Sequence, residues 1–176
     1  QLLLLNSPPT EININFDEIK NSKLSSLISF QLNKIFFKME KLSIETTNIR
    51  LDILYSIISN CPGIKTLKVI LNGENNDKNI EIFNEISPLL LTYLKKLNEF
   101  SYKNITLLHK YLPDIVNSMK NAPLQKLTLC KCFKAKEDIS IFNSYFTGSN
   151  ELTEVDLSNH NFSFVSLLSN SLLNLN

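Results

Sequence analysis

A short apolar pattern that recurs along the chain constrains its fold more than any other feature. Apolar residues at relative positions 1, 4 and 6 occur in five segments, and equivalent residues lie 25 to 33 residues apart. The five sets are Met39-Leu42-Ile44, Ile64-Leu67-Val69, Leu97-Phe100-Tyr102, Leu124-Leu127-Leu129 and Leu152-Val155-Leu157. A period of this length is typical of proteins built from stacked units, each of which buries its apolar side against its neighbours.

The intervals between these segments are long enough for a helix in every unit. Segments 51–58 and 105–112 carry apolar residues at helical spacing, and 115–119 continues the second of them. We therefore expect each unit to consist of one strand followed by helical structure.

Proline, glycine and capping residues indicate where these helices begin and end. Proline or glycine ends three predicted helices, at 60–63, 121–123 and 147–149. Asp77 and Ser87, which precedes a proline, have the character of helix starts. The 33-residue unit is therefore predicted to hold two short helices, broken near Ser87.

The segments IKTLKVILN (64–72), LQKLTLCKC (124–132) and LTEVDLSNH (152–160) resemble the leucine-rich repeat family, in its ribonuclease-inhibitor-like class. Asn72 and Cys132 stand at position 9, where the family consensus has Asn or Cys. The third segment departs from the consensus, since its position 9 is His160. Asn159 or Asn161 could supply the usual buried amide only after a one-residue shift of the alignment. We expect that unit to be locally irregular.

The resemblance implies an α/β fold, a leucine-rich-repeat solenoid. Such a chain forms a curved right-handed horseshoe with parallel strands on the concave side and helices on the convex side. We interpret residues 1–176 as a single domain with about five clear repeats in 39–176. Residues 1–38 are read as a degenerate repeat, since 11–16 alternates like a strand and 24–37 is compatible with a helix. Both ends look cut, so we expect an excerpt of a longer protein.

Charge and cysteine content narrow the classes of partner and compartment. Eighteen basic and 17 acidic residues give a net charge of +1, and Arg50 is the only arginine, so we expect no nucleic-acid partner. No apolar run reaches the length that spans a bilayer, and we expect no membrane insertion. Three cysteines, an odd number, argue against a secreted disulfide framework and favour a reducing, cytoplasmic location.

The residues that usually carry catalysis or bind metals form no recognisable motif. Three glycines are too few for a phosphate-binding loop, and the nucleotide and zinc-protease motifs are missing. His109 and His160 have no Ser or Cys with a carboxylate in a nucleophile setting. Cys130 and Cys132 are predicted to point in different directions, which disfavours zinc. We expect no enzymatic activity, no cofactor and no metal site.

The residues between the inward-pointing positions are predicted to face solvent on the concave surface. Thr46 and Leu71, at position 8, are assigned to this surface. Ile70 and Leu71 would form an exposed apolar pair, which indicates either a contact patch or a strand edge partly covered by the following segment. The candidate partner-binding residues are Lys41, Glu45, Lys68, Ile70, Ser101, Lys103, Lys126, Thr128, Lys131, Asp156 and Asn159.

These features favour an interaction or scaffold segment that binds a protein partner through the concave strand face and is monomeric. An alternative is a regulatory or substrate-recognition segment of a larger protein, such as a small-GTPase regulator or a ubiquitin-ligase receptor. Activation of a GTPase would depend on Arg50, the only candidate arginine. A third possibility is a structural spacer between functional ends.

Overall fold

The strands of this chain lie side by side in the order in which they occur in the sequence. The computed structural model describes residues 10–15, 39–47, 51–72, 77–146 and 151–160. Six strands in these ranges form one sheet, and every strand is parallel to its neighbours. The strands are β1 (Glu11–Asn15), β2 (Lys41–Thr46), β3 (Thr66–Leu71), β4 (Glu99–Lys103), β5 (Lys126–Cys130) and β6 (Glu154–Asp156).

Helices connect the consecutive strands from β2 onward, so the fold is α/β. They are α1 (Leu51–Ser59), α2 (Asp77–Tyr93), α3 (Leu112–Met119) and α4 (Lys136–Phe146). A single 3₁₀ turn, His109–Tyr111, directly precedes α3. Helix α1 packs on α2, α2 on α3, and α3 on α4, which gives a helical layer with the same order as the sheet. Within the described ranges, no helix is both long enough and apolar enough to cross a membrane.

The register of the sheet matches the predicted alignment of the units. Leu42 lies opposite Leu67, Leu67 opposite Phe100, Phe100 opposite Leu127, and Leu127 opposite Val155. Because side chains alternate between the two faces of a strand, these residues form rows on the side of the sheet that the helices cover. The first four are at most 1% exposed. The prediction that Leu67, Leu127 and Val155 occupy parallel strands of one sheet is confirmed.

The sheet begins with a strand in the segment that alternates in the sequence. β1 pairs with β2, with Ile12 opposite Leu42 and Ile14 opposite Ile44, and both isoleucines pack partly buried against the core. The helix predicted at 24–37 lies outside the described residues. So do Arg50, the predicted helix end at 147–149 and the two ends of the chain.

The prediction of two short helices in the longest unit is wrong, because α2 continues through Pro88. A proline inside a helix removes one backbone hydrogen bond and costs about 3 kcal/mol. The Ser87 hydroxyl donates to the Phe83 carbonyl over 2.7 Å, and Thr92 donates to the Pro88 carbonyl over 2.8 Å. Phe83 before the proline and Leu90 after it are both fully buried. Burial of both halves against the same core outweighs the local preference for a break.

The helix predicted from residue 105 begins later, with the turn at His109. Ile105 and Leu107 are buried, but residues 105–108 belong to neither a helix nor a strand. The Leu107 N–H donates to the Cys132 carbonyl over 2.8 Å, and the Leu108 N–H donates to the Asn84 side chain. These tertiary bonds use the N–H groups of the segment, so the apolar spacing that suggested a helix reflects burial instead.

Candidate functional site

The side of the sheet opposite the helices carries an ordered array of side chains, which we call the strand face. It consists of the strand residues at positions 3, 5 and 7 of the repeating units, counted as in the sequence alignment from Met39, Ile64, Leu97, Leu124 and Leu152. Pairing of the strands aligns equivalent positions in columns. The columns are Lys41-Thr66-Glu99-Lys126-Glu154, Ser43-Lys68-Ser101-Thr128-Asp156 and Glu45-Ile70-Lys103-Cys130. Every one of these residues is exposed or partly exposed, as alternation along a strand requires.

The structure brings the predicted contact residues together on one side of the sheet. Nine of the eleven belong to the strand face, and the other two, Lys131 and Asn159, are exposed in the turns that follow β5 and β6. Their proximity agrees with the prediction, and their role in binding stays a prediction.

Thr46 and Leu71 do not belong to the exposed surface, so that assignment is wrong. Both are buried, at 0% and 2% exposure. Strands β2 and β3 run one residue further than β4 and β5, and continued alternation turns position 8 toward the core. The expected exposed apolar pair therefore reduces to Ile70, which is partly exposed.

In the last three described units, the backbone conformation at position 8 differs from that of Thr46 and Leu71. Asn104, Lys131 and Asn159 have φ values of 59°, 56° and 62°, so the chain leaves the strand in a left-handed conformation. Asparagine tolerates this conformation better than most residues. With Cys130 and His160, these three side chains line an open depression of about 530 Å³ at the end of the strands. Asn104, Lys131 and Asn159 thus form a polar surface next to the strand face.

His160 occupies position 9 of the last described unit without any shift in register. Its Nε2 accepts the Cys132 N–H over 2.9 Å, and its Nδ1 lies 2.8 Å from the Leu157 carbonyl, to which it donates. The imidazole therefore supplies the acceptor that an asparagine amide was expected to supply. Across residues 154–160 the alignment needs no shift, but β6 is only three residues long, and Asn161 lies outside the described residues.

Protonation of His160 is expected to destabilise the fold. Burial lowers the pKa of this imidazole, although its bonds to the Leu157 and Ser158 backbone oppose the shift. Because the folded-state pKa lies below the unfolded value of about 6.5, the stabilisation is complete above that pH and is lost as pH falls toward the folded pKa. We expect His160→Asn to remove this component of the pH dependence of unfolding.

The measurement is urea unfolding of both proteins between about pH 7.5 and pH 5, the window around the histidine pKa. The difference between the two profiles reports the contribution of His160, including its interaction with the charge of Asp156. Profiles that run parallel over the whole range would contradict the prediction.

Glu154 and Glu45, two carboxylates of the strand face, are engaged by neighbouring side chains, the first in an ion pair and the second in a hydrogen bond. The Lys126 ammonium lies 3.0 Å from the Glu154 carboxylate. The hydrogen bond and charge of Glu154, followed by the charge of Glu99, raise the pKa of Lys126. On the other side of the face, Asn72 donates to the Glu45 carboxylate over 2.7 Å. Lys126, Glu154 and Glu45 therefore already have interaction partners within the chain.

The cysteines lie in unlike surroundings. Cys132 is buried and donates to the Tyr102 carbonyl over 3.3 Å, whereas Cys130 is partly exposed on the strand face. Burial raises the pKa of the Cys132 thiol to about 12, and the pKa of Cys61 likewise to about 12. In the part of the chain that the structure describes, no group of three or more His, Cys, Asp or Glu residues is placed to hold a metal ion.

Sequence reasoning missed Asn84, a fully buried polar residue of α2. Its Nδ2 donates to the Ile80 and Thr106 carbonyls, each over 2.8 Å, and its Oδ1 accepts the Leu108 N–H over 2.9 Å. The amide ties α2 to the segment that follows β4, in the unit whose position 9 is the apolar Ile105. The available signal was its helical spacing from Ile80, which placed an amide on the apolar side of a predicted helix.

Comparison with known proteins leaves the family open. No protein-family model matches the chain, and no curated protein matches it. Among solved structures, the C-terminal domain of tropomodulin from Caenorhabditis elegans aligns with a TM-score of 0.49 and 15% sequence identity. The alignment covers 96% of this chain and 85% of that domain. Similarity at this level assigns neither a family nor a function.

Proposed function

We propose that this chain is a leucine-rich-repeat solenoid that binds a protein partner through its strand face, as an interaction or scaffold segment. One observation carries the proposal: six parallel strands follow in chain order, with their exposed residues aligned in columns. Repeat proteins use continuous surfaces of this kind for recognition. The repeat pattern in 64–72, 124–132 and 152–160 supports the same family of folds.

The strand face is organised before binding, because the opposite side of every central strand is packed. In β4, for example, Phe100 and Tyr102 are buried, while the neighbouring Ser101 and Lys103 reach solvent. A rigid backbone lowers the conformational entropy that is lost on association. The face is also open and broad, a shape that suits a macromolecular surface better than a small substrate, which needs a concave, enclosing pocket.

Site-specific photocrosslinking tests this proposal. A benzophenone amino acid replaces Ser101, at the centre of the strand face, and in a matched control it replaces the exposed Glu85 of α2 on the helical side. After irradiation in extracts of the source cells, we expect a discrete protein adduct from the Ser101 position and none from Glu85. An adduct from Glu85 alone, or from neither position, would contradict binding through the strand face.

A further inference from the structure

Three lysines cross the strand face on a diagonal, and a fourth continues the diagonal in the turn after β5. Lys41 is the position 3 residue in β2. Lys68 is the position 5 residue in β3, two residues beyond the β3 partner of Lys41. Lys103 is at position 7 of β4, again two residues further along. Lys131 comes one residue after the β5 partner of Lys103. Each strand thus places one ammonium group nearer to the carboxyl end of the sheet, and we call this set the lysine diagonal.

The ammonium groups of the lysine diagonal have no acidic partner among the described residues, in contrast to other lysines of the chain. Lys65 pairs with Glu40 and Lys126 with Glu154, over 2.7 and 3.0 Å, and Lys110 pairs with Glu81. Lys68 and Lys103 are partly buried and lie diagonally across adjacent strands. The same register places the carboxylates of Glu45 and Glu99 diagonally from Lys68 as well, so the two lysines lie in a surface of mixed charge in which no ion pair within the described residues engages either ammonium group.

Carboxylates flank the lysine diagonal without neutralising it. Glu45 lies on one side and is held by Asn72. Glu99 and Asp156 lie on the other side, where Glu99 accepts the Thr66 hydroxyl and Asp156 accepts the Ser158 N–H. At the first strand, Glu11 lies opposite Lys41 in register. The lysine diagonal is therefore a narrow line of positive charge, which we call the track, with carboxylates on both sides. Repulsion from these carboxylates would keep an anionic ligand on the diagonal.

The spacing of the track suits an extended peptide. Adjacent strands are about 4.8 Å apart and two residues span about 6.7 Å, so successive Cα atoms of Lys41, Lys68 and Lys103 are roughly 8 Å apart. Lys131 is only one residue further along and is roughly 6 Å from Lys103. Alternate side chains of an extended segment repeat at about 6.6 Å. Lysine side chains are long and flexible enough to take up the difference. Ile70 lies two residues after Lys68 and opposite Lys103, where it offers an apolar contact between the two central charges.

The size of the face also favours a segment over a folded domain. Six strands of about five residues cover roughly 24 Å by 16 Å, or about 400 Å² in projection. A standard protein interface buries about 800 Å² on each partner. The strand face that the structure describes is therefore large enough for a linear segment.

We propose that the lysine diagonal is the docking track for an acidic, extended peptide segment of the partner protein. The segment carries carboxylates at alternate residues and an apolar side chain against Ile70. This inference rests on the proposed function and names the chemistry of the partner. A nucleic acid fits less well, because its continuous phosphate charge would meet the carboxylates of Glu45 and Asp156 and because lysine lacks the planar fork of arginine.

Charge reversal tests the track directly. The test variant is Lys68→Glu/Lys103→Glu, and the matched control is Lys96→Glu/Lys120→Glu, which changes the net charge equally at exposed sites away from the strand face. The probe is a labelled peptide of alternating Glu and Ser with one central Leu, measured by fluorescence anisotropy at about 50 mM salt, where screening is weak. A (dT)₁₂ oligonucleotide serves as the nucleic-acid probe.

We expect the test variant to weaken peptide binding by at least about 10-fold and the control by less than about 2-fold. Lys68→Gln/Lys103→Gln, which adds no new charge, is expected to weaken it by about 3-fold or more. Equal loss in the test and control variants, absence of peptide binding to the unaltered chain, or tighter binding of (dT)₁₂ would overturn the proposal.

Failure of this inference can be told apart from failure of the proposed function. The Ser101 crosslinker is placed in the Lys68→Gln/Lys103→Gln background. If the unaltered lysines give the Ser101 adduct and the neutralised protein gives it at full yield, the strand face binds a partner but the lysine diagonal does not carry it. Loss of the adduct in the neutralised protein, with unchanged urea unfolding, supports the track.

Discussion

Phe100→Ala is expected to lower the free energy of unfolding by about 3–5 kcal/mol. Phe100 is 1% exposed at the centre of the sheet, between Leu67 of β3 and Leu127 of β5. Its ring centroid lies 4.1 Å from that of Tyr102. Because strands on both sides hold the backbone in place, the neighbours cannot collapse into the space that the ring leaves. In a stacked repeat, the loss also weakens two interfaces at once.

Urea unfolding followed by circular dichroism measures this effect. The matched control is Ser101→Ala, one residue further along β4 on the strand face, for which we expect a change within about 0.5 kcal/mol. Similar values for the two variants would show that the two sides of β4 are not differentiated as core and surface.

Asn84→Leu is expected to lower the free energy of unfolding by about 2–4 kcal/mol, since an unsatisfied buried polar group costs about 1–3 kcal/mol. The leucine has the same number of side-chain heavy atoms but leaves the Thr106 carbonyl and the Leu108 N–H without the partner that Asn84 supplies. These groups belong to the segment between β4 and α3, which makes no helical hydrogen bonds of its own until His109. The loss should therefore loosen this connection first.

The control for Asn84→Leu is Asn117→Leu, the same exchange at an exposed position of α3, with an expected change within about 0.5 kcal/mol. Hydrogen exchange of the Leu108 amide gives a local readout and should become faster in Asn84→Leu alone. Unfolding and exchange that stay at wild-type values in Asn84→Leu would show that the amide does not hold this segment.

The predicted alignment of the repeating units already identified most residues of the candidate site. Spacing alone paired Lys41 with Thr66 and Lys103 with Cys130, because a strand has a side-chain period of two and parallel strands in equal register align equivalent residues. The lysine diagonal was present in this alignment as individual candidates. Its pattern became visible once Lys126 was seen to be paired with Glu154 and the diagonal lysines were not.

The amino-acid sequence by itself determined the repeating unit, the order of the core positions and the face on which the polar residues stand. These depend on local periodicity, which each strand satisfies independently. Tertiary structure alone decided that α2 passes through Pro88, that Leu71 turns inward and that Asn84 and His160 act as buried hydrogen-bonding groups. Asn84 and His160 depend on backbone partners contributed by an adjacent unit, whereas the path of α2 and the direction of Leu71 depend on burial in the shared core. In each case these interactions outweigh the local preference of the residue.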